Sequence, residues 1–201
     1  MSTNATRSHE KREAVFDAAA SVFAQYGFRR TSMNDIAQAA GISRPALYVL
    51  FENKEDLFRQ LASNRQNEAI SEAVSILEQD APFTERFTLA ILAYERIYYE
   101  PIAGSPHAAE FMDTALGLVS DDMMKRHNRL VQYLSDVIDQ AAGEGHVSLK
   151  RIGMKTKAFV ELLMSSIGGQ KKSATSVRDF RQRVKHVTSV FLASIASGAV
   201  K

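Results

Sequence analysis

The 201-residue sequence contains no cysteine and no long hydrophobic run. The absence of cysteine excludes disulfides and thiol chemistry, and it suits a reducing compartment. The polar N-terminus MSTNATRSHEKRE lacks the apolar core of a signal peptide. The uncharged run 187–200 is too short to span a bilayer and contains polar residues. We therefore expect a cytoplasmic protein with no membrane partner.

Patterns that support catalysis or metal binding are also missing. His107, His127 and His146 do not have the spacing of metal ligands. No Ser/His/Asp set stands in a hydrolase context, and no glycine-rich loop is suited to phosphate. We predict no metal, no cofactor and no enzymatic activity. The net charge of +2 is not concentrated in a strongly basic block. If the protein binds DNA, a few well-placed side chains must therefore matter more than bulk charge.

Helical periodicity dominates, and no stretch alternates convincingly as a strand would. Glycines, prolines and capping residues divide the pattern into about nine helices. The predicted ranges are 10–26, 33–40, a short helix after Ser43, 54–77, 83–99, 107–118, 121–142, 149–167 and 176–197. The fold class is therefore predicted to be all-α.

Two short helices joined by a glycine turn form a helix-turn-helix arrangement. Thr31 and Ser32 offer a cap for the first of them, and Gly41 permits the turn. Ser43 caps the second, in which Pro45 occupies an early position that needs no N–H. We predict a three-helix DNA-binding domain at residues 1–53 and a larger helical domain at 54–201.

The N-terminal part of the second short helix is the part that enters the major groove in such an arrangement. Arg44 can donate two bonds to guanine, although a phosphate contact is the open alternative. Small apolar side chains suit thymine methyl groups, and hydroxyl or ammonium groups suit phosphates. The predicted DNA-contacting residues are Thr31, Ser32, Ser43, Arg44, Pro45, Ala46, Tyr48, Val49 and Lys54.

The run GFRRTSMNDIAQAAGISRPALYVLFENKEDL resembles the DNA-binding region of the tetracycline-repressor (TetR) family of transcriptional regulators. The matching features are Gly27-Phe28, Thr31-Ser32, Ile36-Ala37, Gly41-Ile42-Ser43, Leu47-Tyr48, Phe51 and Lys54. The resemblance covers about the first 60 residues and implies a helix-turn-helix DNA-binding module. Beyond them, only length and helical character are similar to the family.

Val49 and Leu50 depart from the polar or aromatic residues that the family commonly has after its Leu-Tyr pair. Leu50 is predicted to face inward, where the loss of polarity is harmless. Val49 is predicted to face outward, and it cannot replace a donor to phosphate. Our hypothesis is that Val49 touches a thymine methyl or a sugar.

Aromatic and methionine side chains are frequent in the middle of the larger domain, where they suit either a packed core or a ligand cavity. The resemblance favours a cavity, and its predicted ligand is a mostly apolar or aromatic small molecule. The predicted ligand-binding residues are Tyr94, Tyr98, Phe111, Met112, Met124, His127 and Tyr133.

The last two predicted helices carry apolar residues three and four apart, a pattern that suits a partner helix or burial within one chain. A homodimer is favoured because one recognition helix reads too few base pairs. The predicted dimer-interface residues are Phe159, Leu163, Ser166, Phe180, Val184, Val187 and Phe191. The basic residues beside them are interpreted as solubilising rim charge: Lys171, Lys172, Arg178, Arg181, Arg183 and Lys185.

These features together predict a homodimeric regulator that binds a palindromic double-stranded DNA operator. The favoured form is a repressor that a small-molecule effector releases from DNA. An alternative is a regulator whose larger domain docks a protein partner. The sequence does not separate repressor from activator.

Overall fold

The computed structural model describes residues 2–171 and 173–197, which form eight α-helices. These are α1 (Ser2–Tyr26), α2 (Met33–Ala39), α3 (Arg44–Leu50), α4 (Lys54–Leu77), α5 (Phe83–Tyr98), α6 (Ala108–Gly143), α7 (Thr156–Gln170) and α8 (Val177–Ile195). Within these described ranges, extended pairing is limited to one isolated antiparallel bridge between Val147 and Ala196. The all-helical fold class is therefore confirmed.

Local capping explains where the short helices begin. Ser32 and Asp35 form a reciprocal capping box at the start of α2. Ser43 Oγ accepts a hydrogen bond from the backbone N–H of Ala46, and Pro45 lies in the first turn of α3. Gly27 and Gly41 end the preceding helices with positive φ values of 83° and 67°, where a side chain would be strained.

Three of the predicted helix boundaries differ by several residues, and the first is the start of α1, which begins at Ser2 instead of residue 10. The predicted helices 107–118 and 121–142 are one continuous helix, α6. Asp121 and Asp122, at the start of the predicted range 121–142, are both exposed within this helix, so their side chains do not interrupt the backbone ladder. Helix α7 begins at Thr156 instead of residue 149, because turns around Gly153 (φ 64°) precede it.

The chain divides into two compact units. The N-terminal unit comprises Met1–Arg65 and Pro101–Asp122, and the C-terminal unit comprises Gln66–Glu100 and Met123–Lys201. The sequence-based division at residue 54 is different, since the N-terminal unit also includes the start of α4 and of α6. No helix in the described part of the chain is long and apolar enough to cross a membrane.

An aromatic cluster explains why these helix starts belong to the N-terminal unit. The Phe58 ring of α4 lies 5.7 Å from Phe23, 5.1 Å from Phe28 and 4.8 Å from Phe111 of α6. Phe23 and Phe58 are almost completely buried. Burial of large rings stabilises a core strongly, so α4 and α6 help to hold the helix-turn-helix in place.

Candidate nucleic-acid interface and effector site

Helix α3 presents one buried residue and a broad exposed face. Leu47 is fully buried, and it anchors the helix to the N-terminal unit. The outward residues are Ser43, Arg44, Pro45, Ala46, Tyr48 and Val49, all of which are exposed. Because Ser43 caps the helix and Pro45 fixes its first turn, this face is preorganised before any partner binds.

Arg44 and Tyr48 lie one turn apart and contact each other. Arg44 Nη2 is 3.5 Å from the Tyr48 hydroxyl, and the guanidinium carbon is 5.5 Å from the centroid of the ring. This contact holds the planar guanidinium of Arg44 along the exposed face of α3. A guanidinium in this position can reach a guanine edge or a phosphate, and the tyrosine hydroxyl can donate to a neighbouring phosphate.

Val49 is the most exposed large apolar residue of α3, with 83% of its surface accessible. Leu50 is half-buried, in agreement with its predicted inward position. Arg12 of α1 donates to the Leu50 carbonyl at 3.2 Å, and its guanidinium lies 5.2 Å from the centroid of the Phe51 ring. These contacts tie the end of α3 to α1 and leave Val49 facing outward.

Two residues predicted to contact phosphate have partners within the chain. Thr31 is 3% exposed, and its hydroxyl donates to the Gly27 carbonyl at 2.7 Å. Lys54 Nζ donates to the carbonyls of Phe28 and Thr31, each at 2.8 Å, and lies 4.5 Å from the centroid of the Phe28 ring. Both side chains hold the loop before α2 instead of facing outward.

Ser32 is exposed, but its side chain is engaged in the capping box. Its Oγ accepts from the Asp35 N–H at 3.3 Å and donates to the Asp35 carboxylate at 2.7 Å. The Ser32 hydrogen bonds lower the pKa of Asp35 below its usual value, because they stabilise the ionised carboxylate. A DNA contact by Ser32 would have to share this hydroxyl with the cap.

The start of α6 lies against the loop that precedes α2. Glu110 accepts a hydrogen bond from the Arg29 backbone N–H at 2.8 Å, and its carboxylate lies 3.5 Å from His107 Nδ1. Ser105 Oγ donates to the Ala24 carbonyl at 2.5 Å. The contacts of Glu110 with Arg29 and of Ser105 with Ala24 could not be predicted from local patterns, because each joins positions 81 residues apart.

The predicted ligand-binding residues are distributed over both compact units. Tyr94 and Tyr98 are largely buried in the C-terminal unit, with ring centroids 5.4 Å apart. Phe111 and Met112 belong to the N-terminal unit, where Phe111 packs on Phe58. Met124 and Tyr133 are 58% and 41% exposed. This exposure does not favour an enclosed site for these two α6 residues, and their ligand-binding role stays a prediction.

Polar residues that sequence reasoning missed surround Tyr94 and Tyr98. Glu95 is 2% exposed and forms an ion pair with Lys171 at 2.9 Å. The Lys171 ammonium lies 5.3 Å from the Tyr98 ring centroid and 4.8 Å from that of Tyr99. Lys171 is thus enclosed and paired, which corrects its interpretation as rim charge. Lys172, assigned to the same rim, lies outside the described residues.

Burial is the main cause of the pKa shifts of Tyr94, Tyr98 and His127. The pKa of Tyr94 and that of Tyr98 are raised, first by burial and then by neighbouring groups that include Glu95. Burial lowers the pKa of His127, an effect that Glu161 and Glu95 oppose and Lys171 reinforces. Gln66 and Arg126 also act on the tyrosines, Gln66 on Tyr94 and Arg126 on Tyr98. We name the residues that these interactions join the polar cluster: Gln66, Tyr94, Glu95, Tyr98, Arg126, His127 and Lys171.

Most of the predicted dimer-interface residues lie inside the C-terminal unit. Phe159, Leu163, Phe180 and Val184 are at most 1% exposed. They face the core because α7 and α8 pack on each other and α8 packs on α5. The apolar seam read from the sequence is therefore an internal contact, and the assignment of these four residues to the interface is wrong.

The outward faces of α7 and α8 carry different residues. Leu162 is 50% exposed and Val190 is 68% exposed. Small or uncharged residues continue these two faces: Ala158, Ser165 and Gly169 on α7, and Gln182, His186, Ser189 and Ala193 on α8. Ser166, Val187 and Phe191 are half-buried at the edges of the faces.

Within the described residues, no group of three or more His, Cys, Asp and Glu side chains has an arrangement that could hold a metal ion. His107 and His146 each lie within 3.5 Å of a glutamate carboxylate, at 3.5 Å and 3.3 Å.

Comparisons with known proteins identify the N-terminal region. Residues 15–61 match the model of the family described as bacterial regulatory proteins, tetR family. The chain is 26% identical over 158 residues to the HTH-type transcriptional regulator YhgD of Bacillus subtilis (strain 168), which covers 77% of this chain and 80% of that protein. It is 46% identical over 48 residues to the HTH-type transcriptional repressor ComR of Escherichia coli (strain K12), which covers 24% of this chain and 23% of that protein.

The fold is similar to that of SmeT, the repressor of the Stenotrophomonas maltophilia multidrug efflux pump SmeDEF. The TM-score is 0.69 at 18% identity, and the match covers 94% of this chain and 92% of that chain. At this identity the likeness concerns the fold, and it extends the comparison beyond the helix-turn-helix.

Proposed function

Because the chain belongs to the tetR family of bacterial regulatory proteins, we propose that it is a sequence-specific repressor that a small molecule releases from its operator. The observation that carries DNA binding is the exposed, preorganised face of α3. Arg44 serves as the base reader, Pro45 and Ala46 allow close approach, and Tyr48 donates to phosphate. Val49 contacts a thymine methyl or a sugar.

Repression itself is supported by a relative. ComR, which is 46% identical to this chain over 48 residues, is described as a repressor. DNA binding alone gives repression wherever the operator overlaps a promoter. We therefore favour repression over activation.

The homodimer is part of the proposal, with a corrected interface. Leu162 and Val190 lie on the outward faces of α7 and α8, and together they supply apolar surface that a second copy covers. The small side chains around them allow close helix packing. A two-fold axis then presents two α3 helices to half-sites about 34–36 Å apart, which makes the operator palindromic.

The effector region is the C-terminal unit, centred on the polar cluster. Tyr94 and Tyr98 supply apolar ring faces together with hydroxyl groups. Such a mixture suits a small, mostly apolar or aromatic molecule better than the broad surface of a protein partner.

Helices α4 and α6 supply the route for release, because each contributes residues to both units. In the N-terminal unit, Phe58 of α4 and Glu110 of α6 contact the elements around α2. An effector that shifts either helix changes the support of α3. The spacing of the two recognition helices then no longer fits successive major grooves.

Selection from a random duplex library, followed by fluorescence anisotropy, tests DNA binding. The expected product is a palindrome that binds far more tightly than a scrambled duplex at the same salt concentration. Equal affinity for both duplexes, or failure to enrich any sequence, would overturn the proposal. An effector must weaken operator binding by the same factor by which the operator weakens effector binding.

A further inference from the structure

Two cations, Lys171 and Arg126, and the buried carboxylate of Glu95 act on Tyr98 or contact its ring in the C-terminal unit. Glu95 is the buried carboxylate of the polar cluster, and Lys171 already pairs with it at 2.9 Å. Arg126 of α6 is the second cation, and it acts electrostatically on Tyr98. Its Nη1 is enclosed and has no hydrogen-bond partner among the described residues.

An enclosed guanidinium nitrogen without a partner is energetically unfavourable. Arginine remains charged at all accessible pH values, so Arg126 cannot relieve the cost by losing its proton. Uncompensated charge in a poorly solvated environment destabilises a fold unless an anion or hydrogen-bond acceptor compensates it. Glu95 pairs with Lys171 through Oε2, and Arg126 Nη1 makes no hydrogen bond to it.

A second enclosed polar atom lies in the same group. Gln66 is 2% exposed, and its Nε2 donates to the Met123 carbonyl at 3.3 Å. Its Oε1 is buried without a donor among the described residues. The Tyr98 hydroxyl lies 4.0 Å from the Met123 sulfur, which links this end of the cluster to the tyrosine rings.

We propose that the polar cluster binds an organic carboxylate with an aromatic or apolar body, and that Arg126 holds the carboxylate. This inference rests on the proposed effector function and names the chemical class of the effector. The planar guanidinium matches a carboxylate in geometry as well as in charge. The rings of Tyr94 and Tyr98 take the body of the ligand, and Gln66 Oε1 accepts from a donor on it.

Thermal unfolding of the full chain tests the proposal without DNA. The probes are pairs of equal shape that differ in charge: 2-naphthoate and 2-naphthamide, cinnamate and cinnamamide, octanoate and octanamide. At neutral pH we expect at least one acid to raise the Tm more than its amide does. Titration calorimetry then gives the Kd of that acid.

Three variants test whether Arg126 supplies the positive charge that binds the acid. Arg126→Gln is expected to weaken binding of the acid about ten- to a hundredfold, since it removes a charged hydrogen-bonding partner. Arg126→Lys keeps the charge but loses the planar fork, so part of the affinity remains. Arg129→Gln is the matched control, because Arg129 is exposed on the same helix, and it is expected to leave the Kd unchanged.

The ligand-free variant provides an independent readout. Arg126→Gln removes a guanidinium whose enclosed Nη1 lacks a hydrogen-bond partner, so its Tm without ligand is expected to equal or exceed that of the wild type. A lower Tm, which indicates a structural role for Arg126, would overturn the proposal. So would amides that stabilise as well as the acids, or a panel in which no acid stabilises the protein.

Failure of this inference is distinguishable from failure of the proposed function. If no acid binds but the selected operator does, the ligand class is wrong and DNA binding stands. If an acid binds through Arg126 but leaves operator affinity unchanged, the ligand class stands and effector-driven release is wrong.

Discussion

Lys54 Nζ donates a hydrogen bond to the carbonyl oxygen of Thr31 at 2.8 Å, across 23 residues of sequence. A second bond of the same length reaches the Phe28 carbonyl. One ammonium group therefore fixes both ends of the loop that leads into α2. Two of its three N–H donors therefore position the helix-turn-helix, and one is left for a phosphate.

Replacement of Lys54 by methionine is expected to lower the free energy of unfolding by about 2–3 kcal/mol, because two carbonyls lose a charged donor. Urea denaturation measures the loss, and Lys185→Met is the exposed control on α8. The salt dependence of operator binding separates the two roles. A lost phosphate contact reduces the slope of log K against log salt by about 1, whereas the positioning role leaves it unchanged.

Arg44 and Tyr48 are expected to contribute differently to operator binding. Arg44→Ala should cost about 1–3 kcal/mol and relax the preference at one base pair, since it removes a base contact. Tyr48→Phe should cost about 1 kcal/mol at every sequence, since it removes a neutral hydrogen bond to phosphate. Anisotropy with the selected operator and its single-base variants measures both.

The slope of log K against log salt tests the roles of Tyr48 and Arg44. A neutral hydroxyl releases no counterion, so Tyr48→Phe should leave the slope unchanged. Unchanged operator affinity in Tyr48→Phe at moderate salt would contradict the phosphate role of Tyr48. If Arg44→Ala weakens binding to all operator variants equally and also reduces the slope of log K against log salt, Arg44 contacts a phosphate and not a base.

Substitutions at two neighbouring residues of α7 test dimerisation and folding stability separately. Leu162 is 50% exposed and Leu163 is fully buried. Leu162→Glu is expected to produce a folded monomer by light scattering, because it places a charge in the proposed interface. Leu163→Ala is expected to remain dimeric and to lose about 2–5 kcal/mol of stability, because it leaves a cavity in the core. The reverse pattern would restore the interface predicted from the sequence.

Local signals account for what the sequence predicted well. Ser32, Ser43, Pro45 and Gly41 act within a few residues, and their caps and turns appear where the pattern placed them. The continuous course of α6 was missed because acidic pairs suit a helix start and an exposed helix interior equally well.

Tertiary partners account for what the sequence could not give. The residues of a single apolar stripe on α7 or α8 look the same whether they pack within the chain or against a second copy. Lys54 and Lys171 look like surface charges in the sequence. Their roles depend on carbonyls, rings and a carboxylate that only the fold brings near them.

The pH dependence of stability should report on His127. Burial lowers the pKa of His127 from its ordinary value of 6.5, so the folded state favours the neutral ring. The unfolded state binds the proton first as the pH falls. The contribution of His127 to stability is therefore complete above pH 6.5. It is lost as the pH falls from 6.5 through the lowered pKa that His127 has in the folded state.

The variant His127→Gln should flatten the pH curve in this window, and His9→Gln, at an exposed position of α1, is the control. Urea denaturation from pH 7.5 to 5 measures the difference. Asp35 and Asp179 have pKa values lowered from 3.8, so their contributions are lost only at more acidic pH. A slope that persists in His127→Gln would assign the effect to another group.

Gly27 and Gly41 provide a matched test of how α6 is held against the helix-turn-helix. Both glycines have positive φ values, 83° and 67°, so alanine at either position costs about 1–2 kcal/mol in backbone strain. A Cβ at Gly41 would meet open space, whereas one at Gly27 would lie 2.5 Å from Glu110 Oε2 and 2.9 Å from His107 Nδ1.

Gly27→Ala is therefore expected to destabilise the protein more than Gly41→Ala does, by about 1 kcal/mol in urea denaturation, because the carboxylate that accepts from the Arg29 N–H must move. The same displacement loosens the support of α2 and α3, so operator affinity should also fall more in Gly27→Ala. In the Glu110→Ala background the extra cost of Gly27→Ala should shrink, because the nearest obstacle is gone. Equal costs at the two glycines would mean that the side chain of Glu110 relaxes freely and that the start of α6 does not restrain the helix-turn-helix.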